Sequence, residues 1–281
     1  MSAPADQRSL APDAERRAVA ALRAAGCEDA VTDAALLVAD AVARDTGAAT
    51  PGGLSAHGST LLEESVARRA GREPLGYIRG RVVFCGLEIL VDPRVFIPRP
   101  ETEVLVRAAL GLPYGARVLE PCTGSGAIAL ALKHARRDLE VTATDRSGAA
   151  LDVAGANAAR LGLNLTLAQA DGIAAAPGGP YDAVVSNPPY VPRAEAGAGS
   201  LPPELEYREP PEAFWGGSDG LCFYRRFSAE LDGVDHVAFE VGDGQAADVD
   251  RVLQEAGFQP ARPHRAASGA IRALSTTRRA A

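Results

Sequence analysis

Four residues that could bind a planar nitrogen group follow an apolar run in the second half of the chain, Asn187-Pro188-Pro189-Tyr190. The run before them is typical of a buried strand, and the two prolines remove backbone donors and stiffen the chain where that strand ends. The side-chain oxygen of Asn187 and the main-chain oxygen of Pro188 would match the two hydrogens of one NH2 group, and Tyr190 adds a flat face. The motif predicts a site for adenine, cytosine or glutamine; a proline-rich turn is the structural alternative.

A glycine-rich turn between a strand and a helix is the second candidate. The segment from Val118 to Ala129 passes through Gly124 and Gly126 and fits the loose GxGxxA fingerprint of nucleotide sites. Glycines allow a ligand to approach the backbone because no Cβ is in the way. Glu120, at the end of the strand, disfavours a polyanion and suits a zwitterionic or sulfonium ligand. The segment predicts a nucleotide-type ligand, with a tight strand–helix turn as the alternative.

Two acidic residues follow the next two predicted strands. Asp145 could accept hydrogen bonds from ribose hydroxyls, or it could cap the helix that follows it. Asp171, next to Gly172, could meet an adenine amino group, or it could serve the chemistry of a turn. Because ligands of parallel sheets bind beyond the carboxyl ends of the strands, we expect both acids at the ligand edge.

The elements that must position these residues alternate from residue 117 onwards. Alternating strands and helices imply a mostly parallel sheet with helices on both faces. The predicted strands are Arg117–Glu120, Val141–Thr144, Leu165–Gln169, Tyr181–Ser186, His236–Glu240 and Ala270–Ser275. The predicted helices are Glu101–Leu110, Gly126–Ala135, Gly148–Leu161, Phe223–Leu231 and Gln245–Ala256.

The first part of the chain has a different pattern. Its apolar residues recur at helical intervals, and Thr32 and Asp33 resemble the start of a second helix. We therefore expect a small all-helical unit. Beyond it, Arg81–Phe84 and Leu87–Val91 are predicted to be strands joined by a tight turn at Cys85-Gly86.

Composition restricts the class of partner. The chain has 281 residues, 47% of them hydrophobic and 23% charged, as in soluble globular proteins. A net charge of −7 argues against nucleic acid as a partner. No apolar stretch resembles a signal peptide or a membrane span, so we expect a cytoplasmic protein without a membrane partner. The cysteines and histidines are too scattered for a disulfide framework or a metal site, at Cys27, Cys85, Cys122 and Cys222 and at His57, His134, His236 and His264.

Several motifs, in order along nearly the whole chain, resemble the HemK-type protein-(glutamine N5) methyltransferases, which modify the glutamine of the GGQ loop in peptide chain release factors. The Asn-Pro-Pro-Tyr motif resembles that of class I methyltransferases acting on amide or exocyclic nitrogens. The most distinctive match is Phe96-Ile97-Pro98-Arg99-Pro100-Glu101-Thr102-Glu103. Other matches are residues 68–80, Glu209-Pro210, Gly216–Leu221, Tyr224-Arg225 and Glu240-Val241-Gly242 with Gln245.

This resemblance implies a class I, Rossmann-like α/β methyltransferase domain with a seven-stranded, mostly parallel sheet, preceded by a small all-helical domain. Residues 1–72 would form the helical substrate-docking domain, residues 73–98 a β-hairpin linker, and residues 99–281 the S-adenosylmethionine-dependent domain. The partner would be a peptide chain release factor.

The resemblance also implies roles for individual residues. Asp145 would hold the ribose of S-adenosylmethionine, and Asp171 with Gly172 would lie near its adenine. The acceptor amide would lie against Asn187, Pro188, Pro189 and Tyr190, of which Asn187, Pro188 and Tyr190 are the candidate catalytic residues. The methionine part would lie at the glycine turn, so that the candidate cofactor residues also include Glu120, Cys122, Thr123, Gly124, Ser125, Gly126 and Asn187.

Three departures from the family pattern leave the acceptor open. The chain has Glu120-Pro121-Cys122 where the family has Asp-Leu-Gly, Gly172 where a bulky residue is common, and Ala266 where an Asp is common. One alternative is a paralogue that methylates a small molecule or another protein. A DNA adenine methyltransferase is less favoured because of the acidic charge, and a non-catalytic cofactor-binding module is the remaining class.

Overall fold

The computed structural model describes residues 11–47, 53–195 and 202–280, which belong to two compact units. One unit extends to Gly80 and also includes Pro203–Arg208, and the other consists of Arg81–Pro202 and Glu209–Ala281. Across the described ranges, no helix has both the length and the apolar character needed to cross a membrane. The docking role expected for residues 1–72 and the linker role expected for residues 73–98 remain predictions.

The first unit is helical. Apolar faces of its helices bury side chains such as Leu22, Leu37 and Leu62. The second helix begins at Ala30, so the predicted start at Thr32 and Asp33 is wrong. Asp33 lies inside the first turn of the helix, where its carboxylate pairs with Arg69 instead of capping the helix. The helices are α1 (Pro12–Ala24), α2 (Ala30–Arg44), α3 (Ala56–Ala70), α4 (Leu75–Arg79) and α8 (Pro203–Arg208).

A buried charge cluster fastens α8 within this unit. Arg69 Nε lies 2.7 Å from Asp33 Oδ2, and Arg69 Nη1 lies 2.7 Å from Glu204 Oε1. Arg72 Nη2 lies 2.8 Å from the other Glu204 oxygen. Removing one member of such a cluster leaves a buried charge uncompensated. The carboxylate of Glu204 is therefore required to balance the charges of Arg69 and Arg72. The cluster thereby connects α2, α3 and α8, and α8 is far from the other two helices in sequence.

The second unit begins with an antiparallel hairpin, β1 (Arg81–Phe84) and β2 (Leu87–Leu90). Its turn is the predicted Cys85-Gly86, and both residues have positive φ angles. The buried side chain of Asn157 connects this hairpin to the glycine-rich turn: its amide accepts from Leu90 N at 2.7 Å and donates to Ser125 O at 3.0 Å.

Within the described residues, seven strands form one sheet in the order β5-β4-β3-β6-β7-β9-β8. The first five strands of this order are parallel, and β9 runs antiparallel to both of its neighbours. The expected class I fold with a mostly parallel seven-stranded sheet is confirmed. The strands are β3 (Arg117–Pro121), β4 (Glu140–Asp145), β5 (Thr166–Gln169), β6 (Ala183–Ser186), β7 (His236–Glu240), β8 (Arg262–Arg265) and β9 (Ile271–Thr277).

The core of this unit supports the carboxyl ends of the central strands. Leu119, Val184 and Phe239, from β3, β6 and β7, are completely buried, and Tyr224 and Phe227 pack against the same cluster. Burial of such side chains contributes about 1.5–3 kcal/mol each. The helices of the unit are α5 (Glu103–Ala109), α6 (Ala127–Ala135), α7 (Gly148–Leu161), α9 (Cys222–Ala229) and α10 (Ala246–Glu255), with a 3-10 turn at Pro100–Thr102 before α5.

Candidate active site

The glycine-rich turn connects β3 to α6 in a conformation that requires positive φ angles. Gly124 has φ +55° and Gly126 has φ +79°, and a Cβ on Gly126 would lie 3.1 Å from Ala154 Cβ. Thr123 N donates to Thr144 O at 3.0 Å, which joins the turn to the neighbouring β4. Cys122 also has a positive φ, 61°, at the position where the related family has glycine. The turn of residues 122–126 is thus a compact backbone cradle at the end of β3.

Glu120 is completely buried beneath this turn. One of its oxygens, Oε2, accepts from Thr123 Oγ1 at 2.6 Å and from Ala129 N at 3.0 Å. The other, Oε1, is buried and has no hydrogen-bond partner among the described residues. Burial raises the pKa of Glu120 to about 8, although both hydrogen bonds oppose this shift and nearby Asp145 adds to it. An unpaired buried carboxylate oxygen can accept from a cationic ligand, which fits the methionine ammonium of S-adenosylmethionine.

Asp145 ends β4 next to the same turn. Its two carboxylate oxygens accept from Gly124 N at 2.9 Å and from Ser147 N at 2.9 Å. The alternative that Asp145 caps the following helix is wrong, because α7 is capped by Ser147, whose hydroxyl accepts from Ala150 N. The ribose role of Asp145 remains a prediction, and its position between two strand ends suits it.

Asp171 and Gly172, predicted to lie near adenine, follow β5. The Asp171 side chain is 61% exposed and its Oδ1 lies 2.8 Å from Arg226 Nη1 of α9. Gly172 has φ +98°, and a Cβ there would lie 2.5 Å from Arg226 Nη2 and 2.8 Å from Glu230 Oε2. A side chain at this position would require the flexible ends of the Arg226 and Glu230 side chains to shift. The adenine role remains a prediction, and Arg226 is a neighbour that the sequence did not reveal.

Glu230 holds the backbone of the same loop. Its Oε2 accepts from Ile173 N at 2.7 Å and from Ala174 N at 3.0 Å. Arg226 and Glu230 also pair with each other at 3.2 Å, as expected for residues one helical turn apart. The loop after β5 is thus fastened to α9 through side chain and backbone.

The Asn187–Tyr190 motif begins where β6 ends. Ser186 is completely buried, and its hydroxyl donates to Pro121 O at 2.7 Å, so the ends of β6 and β3 are joined. Pro188 is buried and Asn187 is half-buried. Within the described part of the chain, no hydrogen bond engages the Asn187 amide or the Pro188 carbonyl oxygen. Two acceptors therefore remain available beside the glycine-rich turn.

Two of the sequence motifs contact each other near this site. Glu209 is buried, and its carboxylate accepts from Ile97 N at 3.0 Å and pairs with Arg99. Arg99 lies over the Phe96 ring, 4.8 Å from the centroid, and Phe96 packs edge-on against Phe214. The Phe96–Glu103 signature and the Glu209-Pro210 motif thus form one structure.

Glu240 and Gln245 belong to the motifs that match the family, but the sequence does not indicate what they do. In the structure, the hydroxyl of Tyr190 donates to Glu240 Oε1 at 3.3 Å, and Gln245 Nε2 donates to Tyr190 O at 2.9 Å. Glu240 ends β7, next to β6 in the sheet. The rule that ligands bind beyond strand ends could have identified it, because Glu240 was the last residue of a predicted strand.

Comparisons with known proteins agree with this geometry. Residues 100–198 match the Methyltransferase small domain family, and residues 13–80 match the PrmC N-terminal domain family. A solved methyltransferase from Pyrococcus furiosus shares the fold, with a TM-score of 0.51 and 19% identity over 68% of this chain and 89% of that one.

Curated relatives extend the similarity over both units. A release factor glutamine methyltransferase from Cereibacter sphaeroides is 40% identical over 257 residues, covering 88% of this chain and 91% of the relative. Another from Rhodospirillum rubrum is 37% identical over 270 residues, covering 92% of this chain and 82% of the relative. The resemblance inferred from the motifs is confirmed. The chain is a methyltransferase that belongs to the release factor glutamine methyltransferase family.

Proposed function

We propose that this enzyme transfers the methyl group of S-adenosylmethionine to the amide nitrogen, N5, of the glutamine in the GGQ loop of peptide chain release factors. The observation that carries the proposal is the pair of unengaged acceptors, the Asn187 amide oxygen and the Pro188 carbonyl oxygen, at the end of β6. A primary amide has two N–H groups, and this pair matches them. The relatives that cover most of the chain carry the same activity in their names.

The residues of the turn fit the cofactor. The unpaired Oε1 of Glu120 suits the methionine ammonium, and the backbone from Cys122 to Gly126 leaves room for close approach. Asp145 would hold the ribose, and Asp171 with Gly172 would lie near the adenine. When bound, S-adenosylmethionine supplies a methyl group activated by its sulfonium.

The contribution of Asn187 and Pro188 is positioning and charge stabilisation. An amide nitrogen is a poor nucleophile because its lone pair is delocalised. Hydrogen bonds from its N–H groups to these two oxygens stabilise the positive charge that develops on nitrogen as its lone pair attacks the methyl carbon. They also align the nitrogen with the methyl group, which supplies much of the rate in a direct displacement. The flat face of Tyr190 would support the planar amide.

The test uses purified enzyme, methyl-labelled S-adenosylmethionine and a release factor. We expect label in the GGQ peptide and none in a release factor whose GGQ glutamine is replaced by alanine. Absence of label with intact cofactor binding would contradict the proposal. A cell extract run in parallel would then show whether the label enters a small molecule, another protein or DNA.

Asn187→Ala tests the role of the amide acceptor. Because the variant loses one of the two hydrogen bonds that orient the substrate nitrogen, we expect transfer to fall by about 100-fold or more, with cofactor affinity within about twofold of wild type. The rate is measured with labelled cofactor and the affinity by calorimetry. Wild-type turnover by this variant would exclude the assigned role.

A further inference from the structure

The Tyr190 residue is fixed at both ends by residues about 50 positions later in the chain. At the main-chain end, Gln245 Nε2 donates to Tyr190 O at 2.9 Å. The orientation of that Gln245 amide is set by its own oxygen, which accepts from Gly242 N at 3.0 Å. At the side-chain end, the Tyr190 hydroxyl donates to Glu240 Oε1 at 3.3 Å.

Close packing by glycines restricts Tyr190 further. A Cβ on Gly242 would lie 3.0 Å from Tyr190 Cδ2, and a Cβ on Gly216 would lie 2.8 Å from Tyr190 Cα. A Cβ on Gly220 would collide with both Tyr190 O and the Gln245 amide. These three glycines belong to motif segments whose role could not be inferred from the residues alone. Their lack of side chains allows the backbone to approach Tyr190 closely.

Glu240 is buried, and in the part of the chain that the structure describes no group donates a hydrogen bond to its second oxygen, Oε2. Burial raises the pKa of Glu240 to about 7, and the charge of Glu101 adds to this shift. The hydroxyls of Thr102 and Tyr190 and the charge of Arg272 oppose it. Tyr224, whose hydroxyl donates to Glu240 O, also faces the group, and Arg99 lies near the Tyr190 hydroxyl.

The hydroxyl of Tyr190 stays protonated at the pH values at which Glu240 titrates, so it remains a neutral hydrogen-bond donor. Burial raises its pKa well above the usual value, and the carboxylate of Glu240 raises it further. A charged acceptor makes a stronger hydrogen bond than a neutral one. The strength of the Tyr190–Glu240 contact therefore depends on whether Glu240 is ionised.

We propose that Glu240 and Gln245 are positioning residues that hold the Tyr190 ring as the platform for the acceptor amide. We call the contacts of Glu240 and Gln245 with Tyr190 the clamp. The use of the Tyr190 ring as a platform rests on the proposed function, whereas the clamp is a property of the protein alone. Glu240 and Gln245 act through Tyr190 and need not touch the substrate. An ionised Glu240 holds the platform most firmly.

The first experiment needs no acceptor. The chain contains six tyrosines, so 13C labelling at the tyrosine Cζ gives few NMR signals, and loss of one signal in Tyr190→Phe assigns it. We expect the Tyr190 signal to shift with pH with a midpoint near 7, and to lose that transition in Glu240→Gln. A Tyr190 signal that is the same in the wild-type protein and in Glu240→Gln at every pH would overturn the proposal.

The second experiment measures methyl transfer to release factor. Gln245→Glu preserves the shape of the side chain and an oxygen for Gly242 N, but it cannot donate to Tyr190 O. We expect the KM for release factor to rise about tenfold in Gln245→Glu and Glu240→Gln, with affinity for S-adenosylmethionine within about twofold. Gln259→Glu is the matched control, because Gln259 is exposed and undergoes the same change of charge.

The pH profile separates positioning from general loss of stability. In the wild-type protein, kcat/KM should rise as pH increases through about 7, and Glu240→Gln should lack this step while any step from Glu120 remains. If wild-type enzyme methylates release factor and both variants match it, the inference fails and the proposed function stands. If the NMR transition is present but release factor is not methylated, the proposed function fails and the clamp stands.

Discussion

The buried carboxyl group of Glu120 lies in an environment that is better suited to a bound cationic ligand than to the protein without a ligand. Burial raises the pKa of this group to about 8, so at neutral pH it is mostly protonated without a cationic partner. A cation bound beside it would favour the carboxylate and lower this pKa. Binding of the cofactor should therefore expel the proton from Glu120.

This consequence can be measured by calorimetry at pH 7. Titrations of S-adenosylmethionine in buffers with different ionisation enthalpies give the number of protons exchanged on binding. We expect the wild-type protein to release about one more proton than Glu120→Gln, because the variant has no carboxyl group to titrate. Equal proton exchange in both proteins would show that the cofactor does not contact Glu120.

Cys122 adopts a left-handed backbone conformation at a cost of about 1–2 kcal/mol, which glycine would not incur. Burial raises the pKa of its thiol well above the usual value, so the reactive thiolate is suppressed. We expect Cys122→Gly and Cys122→Ala both to retain turnover within about threefold, because a protonated thiol is a poor nucleophile. Steady-state methylation assays test this. A large loss in both variants would reveal a chemical role for the sulfur.

At the scale of elements, α9 holds the loop after β5. Arg226 pairs with Asp171, and Glu230 accepts from two loop amides. Arg226→Ala should loosen the loop, raising the KM for S-adenosylmethionine several-fold with little change in kcat, because the loop is the predicted adenine site. The kinetics are measured at saturating release factor.

Arg251→Ala is a suitable control for this prediction. Arg251 lies on α10, is exposed, and pairs with Asp248 within one helical turn, so its loss removes a similar charge away from the loop. An equal effect of both substitutions on the KM for S-adenosylmethionine would attribute the change to net charge instead of loop anchoring.

The sequence predicts the elements of the sheet better than their order. Alternation of apolar strands with amphipathic helices identifies the parallel strands β3 to β7, because a βα repeat leaves a strong local pattern. The edge strand Arg262–Arg265 escaped prediction because its four residues are polar or proline and are mostly exposed. Neither the insertion of β9 between β7 and β8 nor the short helix α8 has a local signature.

The same distinction applies to the candidate site. Glu120, Asp145 and Asn187 follow strands, so their meeting at one edge of the sheet follows from local patterns. The Arg226–Asp171 and Gln245–Tyr190 contacts join segments 55 residues apart in each case, and only the folded chain brings them together. The predicted helix start at Thr32 and Asp33 is wrong for the same reason. Asp33 pairs with Arg69 on another helix, and this contact is visible only in the folded chain.

At the scale of the whole molecule, the buried carboxyl groups of Glu120 and Glu240 make stability depend on pH between about 5 and 8. Burial also raises the pKa of Glu209, which acts in the same direction. Glu120 and Glu240 have pKa values of about 8 and about 7 in the folded protein, against 4.5 as the ordinary value. The folded state therefore binds more protons than the unfolded state in this range, and the free energy of unfolding falls as pH rises. Ionised Asp219, whose pKa is lowered from 3.8 to about 2, stabilises the folded state at neutral pH, and this contribution is lost only as the pH falls through those two values.

Glu240→Gln tests this assignment by urea unfolding at pH 5, 6.5 and 8 without cofactor. Near pH 5 the two proteins should be similar, since Glu240 is then largely neutral. At pH 8 the variant should be the more stable one, by up to roughly 3 kcal/mol, because it carries no buried charge. The opposing contribution of His264, whose pKa is lowered by burial, is common to both proteins and cancels. A difference independent of pH would contradict the assignment.

Because α8 belongs to the helical unit, the exchange of one unit between two related proteins is constrained, both in recombination between genes and in protein engineering. The chain leaves the sheet-containing unit after Pro202, contributes Pro203–Arg208 to the helical unit, and returns at Glu209. The two units are therefore interleaved, and no single crossover between two genes can exchange one of them intact. A chimera that replaces residues 1–80 alone would pair a foreign surface with the native Glu204. Retaining Arg69 and Arg72, or transplanting residues 203–208 as well, would keep that carboxylate paired.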